Sequence, residues 1–105
     1  MELEIYWTGF SEKELEIIFE YYRKNANYRI AKKLVDGIYH ETLILKKQPE
    51  IGPVEELLRQ RKEDFRYLVY ENYKIIYWLN YQENRIEITD VFDTRQNPIK
   101  IKRTK

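Results

Sequence analysis

Arginine, lysine and tyrosine are the residues through which this chain could do chemistry, because nearly every other reactive set is missing. Its 105 residues include no cysteine, which excludes a disulfide framework, a thiolate metal site and a cysteine nucleophile. The single histidine, His40, stands alone beside Glu41, so a histidine-rich metal site is excluded too. Ser11 is the one serine and suits a helix cap better than a Ser-His-Asp set. Three scattered glycines, Gly9, Gly37 and Gly52, cannot build a phosphate-cradling loop. The best acidic pair for a divalent cation is Asp90 with Asp93, and three apart on a strand they point to opposite faces. Neither a metal nor a cofactor is expected.

Arg66, Tyr67, Tyr73, Lys74, Tyr77 and Arg95 remain, all on or next to a stretch of alternating apolar residues. Arginine and lysine neutralise phosphate, and tyrosine stacks on a base or hydrogen-bonds to it. On an uncovered sheet face these residues suit RNA; they equally suit a protein partner, for which tyrosine and arginine are favoured anchors. Tyr73 and Tyr77 are in phase with Ile75 and read as core. One enzymatic route needs neither histidine nor metal: the 2′-hydroxyl of RNA attacks its own phosphate while Arg66, Lys74 and Arg95 stabilise the developing charge. The proton carrier for that reaction has no strong candidate, since an unperturbed lysine or tyrosine titrates near ~10.

The elements that must hold these residues follow from periodicity. Residues 3–7 alternate as a short strand and Thr8-Gly9-Phe10 breaks it. Ser11 with Glu14 fits a capping box, and Leu15, Ile18, Phe19 and Tyr22 follow at helical spacing. Asn25-Ala26-Asn27 is a stop. A second helix carries Ala31, Leu34, Val35, Ile38, Thr42 and Leu45 on one face, completing a helical hairpin. Pro49 and Gly52-Pro53 open a loop, with a short helical turn over 54–58. From Phe65 the period is two: strands Phe65–Tyr70, Tyr73–Tyr81 and Arg85–Phe92, joined by Glu71-Asn72 and Gln82-Glu83-Asn84. Ile86 and Ile88 share a face while Val91 and Phe92 are adjacent, which predicts a bulge near Asp90. The predicted class is α+β, a βααβββ chain whose helical hairpin covers one face of a twisted antiparallel sheet.

Composition suits one domain over residues 1–105: 43% of residues are hydrophobic and 15% aromatic, too many for a disordered chain. No apolar run approaches the ~20 residues of a membrane span. The first 20 residues hold six Glu and one Lys, unlike the positive start of a signal peptide. A soluble, cytoplasmic protein is expected. Net charge is +1, but residues 1–20 carry −5 and the tail, residues 95–105, carries +5. Arg59, Arg61 and Lys62 form a second basic knot. A basic end of this kind serves a polyanionic or acidic partner, or it is a solvated, frayed tail.

The chain resembles the RelE/ParE superfamily of bacterial type II toxin–antitoxin toxins over nearly its whole length. The likeness rests on Ile5-Tyr6-Trp7-Thr8, the helical hairpin, the Pro49…Gly52 loop, Arg66-Tyr67-Leu68-Val69, Tyr73-Lys74-Ile75-Ile76-Tyr77, and the ending Val91-Phe92-Asp93-Thr94-Arg95-Gln96-Asn97-Pro98. It implies a toxin held inactive by an antitoxin encoded beside it, with DNA gyrase (ParE-like) or mRNA on the ribosome (RelE-like) as target. In the ribonuclease branch the strand before the hairpin offers two cations, where this chain has Arg66 alone. Lys74 stands where an arginine is common, and Arg95 matches the basic position after the last strand. Catalytic members place a tyrosine or histidine in the final segment, and none follows Tyr81 here. The ending is similar to that of ParE-like sequences, so that branch is favoured. The expectation is a non-enzymatic toxin contacting its target or antitoxin through Arg59, Arg61, Lys62, Tyr67, Lys100, Lys102 and Arg103. The alternatives are a metal-independent endoribonuclease using Arg66, Lys74 and Arg95, and an inactive homologue that only binds its antitoxin.

Overall fold

Four strands and two helices make up the described residues, 2–104, of the computed structural model. β1 (Glu4–Trp7), α1 (Gly9–Asn25) and α2 (Tyr28–Glu41) precede β2 (Arg66–Tyr70), β3 (Tyr73–Asn80) and β4 (Arg85–Asp93). Short 3-10 turns cover Thr42–Lys46, Glu56–Leu58 and Pro98–Arg103. This is the βααβββ order and the α+β class read from the sequence. The strands lie in the order β1-β4-β3-β2. β2, β3 and β4 form the expected antiparallel meander. β1 departs from a wholly antiparallel sheet: it pairs parallel with β4, from Glu4↔Arg85 to Trp7↔Ile88. The helices and the meander together supply the long crossover that a parallel pair requires.

Local chemistry sets the helix ends. Thr8, not Ser11, caps α1: its backbone is extended and its hydroxyl accepts from the Ser11 N–H at 3.2 Å. Ser11 lies one turn inside, fully buried, its own hydroxyl donating back to the Thr8 carbonyl. Thr8 outcompetes it because it is the residue that leaves β1 in an extended conformation. Asn27 caps α2 by accepting from the Ile30 N–H at 2.9 Å. The second helix ends at Glu41, and its apolar stripe continues through the Thr42–Lys46 turn, where Thr42 and Leu45 stay buried with Ala31 and Ile38. Gly37 lets α2 approach the sheet, since a Cβ there would meet the Tyr70 ring and hydroxyl.

The helical hairpin buries one sheet face, where Leu15, Ile18, Ile38 and Leu45 pack with Tyr73, Ile75, Tyr77, Ile86, Ile88 and Val91. Tyr73 and Tyr77 are thus core, as expected. The Tyr77 hydroxyl accepts from the Gly52 N–H at 3.0 Å and donates to the Pro49 carbonyl at 2.8 Å, pinning the proline loop. The bulge also falls where expected: pairing steps from Ile76↔Asp90 to Tyr77↔Ile88, leaving Thr89 over. That extra residue puts Val91 on the face of Ile88 and turns Asp90 and Phe92 to the other. The second face is not bare, as the sequence reading assumed. Leu58, Phe65, Ile76, Phe92 and Ile101 form a smaller core there, drawn partly from the basic tail.

Candidate functional site

Alternation along the meander decides where the three candidate catalytic cations go. Arg66 has the parity of Leu68 and Tyr70, so it leaves β2 on the helix side, and Lys74, out of phase with Ile75 and Tyr77, leaves β3 on the opposite side. Arg95 lies beyond β4, past the Asp93↔Tyr73 pair, at the other end of the sheet from the Arg66↔Tyr77 pair. The sheet brings no two of them together. Each has its own partner. Arg66 donates to the carbonyls of Gly52 at 2.8 Å and Glu50 at 3.2 Å. The Lys74 ammonium lies 2.7 Å from the Glu55 carboxylate and 4.2 Å from the centre of the Tyr67 ring. Glu55 is 3% exposed and also accepts from the Leu57 N–H, so Lys74 neutralises a buried charge that starts the 3-10 turn. Arg95 holds both oxygens of Asp93 at 2.8 and 3.0 Å.

Around Arg95 a groove of about 340 Å³ opens between α1 and β4, lined by Ile17, Ile18, Tyr21, Tyr22, Tyr73 and Val91 among others. Tyr22 lines this groove together with Tyr73 and Arg95. Burial, reinforced by Tyr22, pushes the Tyr73 phenol up, so it stays protonated and offers no base near neutral pH. The Arg95 guanidinium holds Asp93 down to about 2, helped by the Arg95 N–H and Asn72, against the opposing effect of burial. A carboxyl depressed in the folded state stabilises the fold above the ordinary aspartate range near ~3.9, and loses that contribution as pH falls towards the folded value. The stability difference between the wild type and Asp93→Asn should therefore be constant above about pH 5, shrink as pH falls through about 2, and lose its charge-dependent part by about pH 1. Solvent around the exposed Arg95 keeps the difference small. Chemical denaturation of both proteins across pH measures it, and a difference that grows on acidification would contradict the pairing.

The two basic knots meet in space. Residues 98–103 form a 3-10 turn with Ile101 buried, and the Arg61 guanidinium donates to the carbonyls of Lys102 and Thr104. The tail is therefore docked rather than frayed. Arg103 faces inward, gripping both oxygens of the fully buried Asp90 at 2.9 and 3.1 Å and reaching Glu14 of α1 at 2.9 Å. Burial opposes its charge, and Asp90 and Glu14 together raise its pKa nonetheless. The Thr104 hydroxyl adds a 2.8 Å bond to Asp90. Asp90 and Asp93 thus point to different sides, and no group of three or more acidic, histidine or cysteine side chains able to hold a metal occurs among the described residues. Arg59, Lys62, Lys100 and Lys102 remain exposed, with Arg61 and Tyr67 half-buried. Arg59 is paired with Glu56 at 2.6 Å.

Comparison with known proteins places this geometry. The model of the ParE toxin of the type II toxin–antitoxin system parDE matches residues 5–98, from the first strand to the start of the docked tail. The chain belongs to the ParE toxin family. Its fold is also that of a solved chain described as the chromosomal ParDE TA system from P. aeruginosa, at a TM-score of 0.72 and 17% sequence identity, covering 88% of this chain and 96% of that one. No curated protein matches it in sequence.

As a ParE-family toxin, the chain carries features that residue type alone did not flag. Ile17 and Tyr21 sit four apart on α1, both exposed, outside the buried stripe of Leu15 and Ile18. Their signal was an apolar pair on the polar side of an amphipathic helix, and tertiary structure turns it into the wall of the Arg95 groove. Glu55 and Asp90, two of the three buried acids (the third is Glu87), have no sequence signature, because their partners come from β3 and the tail. Among the described residues no helix is long and apolar enough to cross a membrane.

Proposed function

We propose that this toxin inhibits growth in the cytoplasm by binding a macromolecular target, DNA gyrase, rather than by cutting RNA, and that an antitoxin neutralises it. The observation that carries this reading is the dispersal of Arg66, Lys74 and Arg95 to three separate sites, each held by a carbonyl or carboxylate of the chain itself. Stabilising a phosphorane needs cations converging on one phosphate without competing anions. The surface suited to a target is the exposed face joining residues 59–62 with Lys100 and Lys102, since the docked tail displays these cations on a rigid support. Arg103 takes part indirectly, by holding the tail.

The double variant Lys100→Glu/Lys102→Glu tests this. Both side chains are exposed, so stability should change by no more than about 0.5 kcal/mol per site. Purified wild-type toxin should inhibit gyrase supercoiling, and the double variant should lose that inhibition together with growth arrest. Arrested cells with new transcript 5′ ends on their ribosomes and unimpaired supercoiling would overturn the proposal in favour of the endoribonuclease.

A further inference from the structure

Arg103 binds more than the buried charge beneath it requires. Its Nε and Nη2 groups donate to the two oxygens of Asp90 at 3.1 and 2.9 Å, and the Thr104 hydroxyl adds its bond at 2.8 Å. These three bonds satisfy the Asp90 carboxylate. Yet Nη2 also lies 2.9 Å from a carboxylate oxygen of Glu14, whose side chain is 16% exposed. One guanidinium thus serves two acids. Neutralising Asp90 takes a single pair, and a second carboxylate beside it works against the first. What Glu14 adds is a tie between elements: it belongs to α1, Asp90 to β4, and Arg103 to the tail. Two rings repeat the tie. The Arg103 guanidinium carbon lies 5.5 Å from the centre of the Phe10 ring at the start of α1, and 5.5 Å from that of Phe92 on β4. A lysine could neutralise Asp90, but a planar fork is needed to meet two carboxylates and two rings at once.

The tail held in this way carries the exposed Lys100 and Lys102. Asn97 caps its 3-10 turn by accepting from the Ile99 N–H at 3.2 Å. The Lys100 N–H donates to the Asn97 carbonyl and the Thr104 N–H to that of Ile101, each at 3.0 Å. Such turns have poor hydrogen-bond geometry of their own. The direction of the two lysines therefore depends on what grips the turn from outside. Arg61 does so at the carbonyls of Lys102 and Thr104, and Glu14 does so through Arg103.

We propose that Glu14 is a positioning residue for the cationic face. Through Arg103 it fixes the tail against α1, so that Lys100 and Lys102 meet their target already ordered. That this face meets a target rests on the reading above; the tie itself does not.

Glu14→Gln tests the proposal, with Glu16→Gln, exposed on the same helix, as the control for charge. Asp90 keeps Arg103 and Thr104 in Glu14→Gln, so the urea midpoint should match that of the wild type. The Lys100 and Thr104 amides should exchange about three- to tenfold faster. The toxin concentration for half-inhibition of gyrase supercoiling should rise by about the same factor, as preorganisation is lost. Charge alone predicts the reverse, because removing an acid beside a cationic face strengthens its pull on an anionic target. Glu16→Gln makes the same change in charge and should inhibit at least as well as the wild type. Arg103→Lys keeps a cation opposite Asp90 and gives up the fork, so adding Glu14→Gln to it should alter either readout by less than about twofold. Wild-type exchange of the tail amides in Glu14→Gln overturns the positioning role. So does a lowered midpoint with all amides accelerated alike, since Glu14 would then only support the fold. Faster tail exchange with undiminished inhibition overturns the role at the target. Faster tail exchange in Glu14→Gln, beside a wild-type toxin that leaves supercoiling untouched, overturns gyrase as the target while the tie stands.

Discussion

Deleting residues 99–105 lowers the stability of this toxin by about 3–5 kcal/mol through Asp90 alone, the cost of removing one partner from a buried ion pair. Asp90 is fully buried, and its carboxylate is satisfied by the Arg103 fork and the Thr104 hydroxyl. Without them an uncompensated charge stays inside the protein, or the protein opens to hydrate it. Ile101 goes in the same deletion, and with it one wall of the core shared by Leu58, Phe65, Ile76 and Phe92. A cavity of that kind adds ~2–5 kcal/mol when the site cannot collapse. Against a total stability of ~5–15 kcal/mol, the sum leaves the truncated chain largely unfolded. Asp90→Asn in the truncated background should recover part of the loss by removing the charge. Urea unfolding of the three proteins decides the matter: a truncated chain with a wild-type midpoint would mean that the tail does not support the fold. Loss of toxicity on truncation would therefore report folding, whereas Lys100→Glu/Lys102→Glu reports the surface.

Ile38→Asp is expected to abolish the folded state. Ile38 is fully buried on α2, within the larger core that includes Leu15, Tyr73 and Ile75. The substitution removes a large apolar side chain, at ~2–5 kcal/mol, and buries a charge with no partner, at several kcal/mol more even after relaxation. Together these match or exceed the stability available. Lys33→Asp, on the exposed face of the same helix, should leave the fold intact. Far-ultraviolet circular dichroism and one-dimensional NMR distinguish the two, and a dispersed, cooperative spectrum from Ile38→Asp would show that this face of α2 is not the one buried.

Most of the architecture was legible from period alone. A 3.6-residue stripe from Ala31 to Leu45 has to find an apolar surface, and the period-two run from Phe65 supplies one. Even the bulge was visible, because the Ile86 and Ile88 alternation runs into the adjacent apolar pair Val91 and Phe92. The pairing of β1 was not legible, since nothing local in four residues chooses between the two edges of a distant meander. The α1 cap was misread for a related reason: Ser11-Glu14 satisfies the pattern, but the residue actually leaving β1 in an extended conformation is Thr8.

The sequence by itself determined the elements, the faces they bury, the absence of cysteine or clustered histidine chemistry, and a family likeness that the ParE toxin match bears out. These follow from residue type and spacing, which act over one or two turns of chain. Only the tertiary structure decided which charges are free and which are internal. It sent Arg66, Lys74 and Arg95 to separate partners, turned Arg103 inward onto Asp90, and joined the knots at 59–62 and 100–102 into one surface. An ion pair is a contact between residues far apart in the chain, and its partners become known only when the backbone has brought them together.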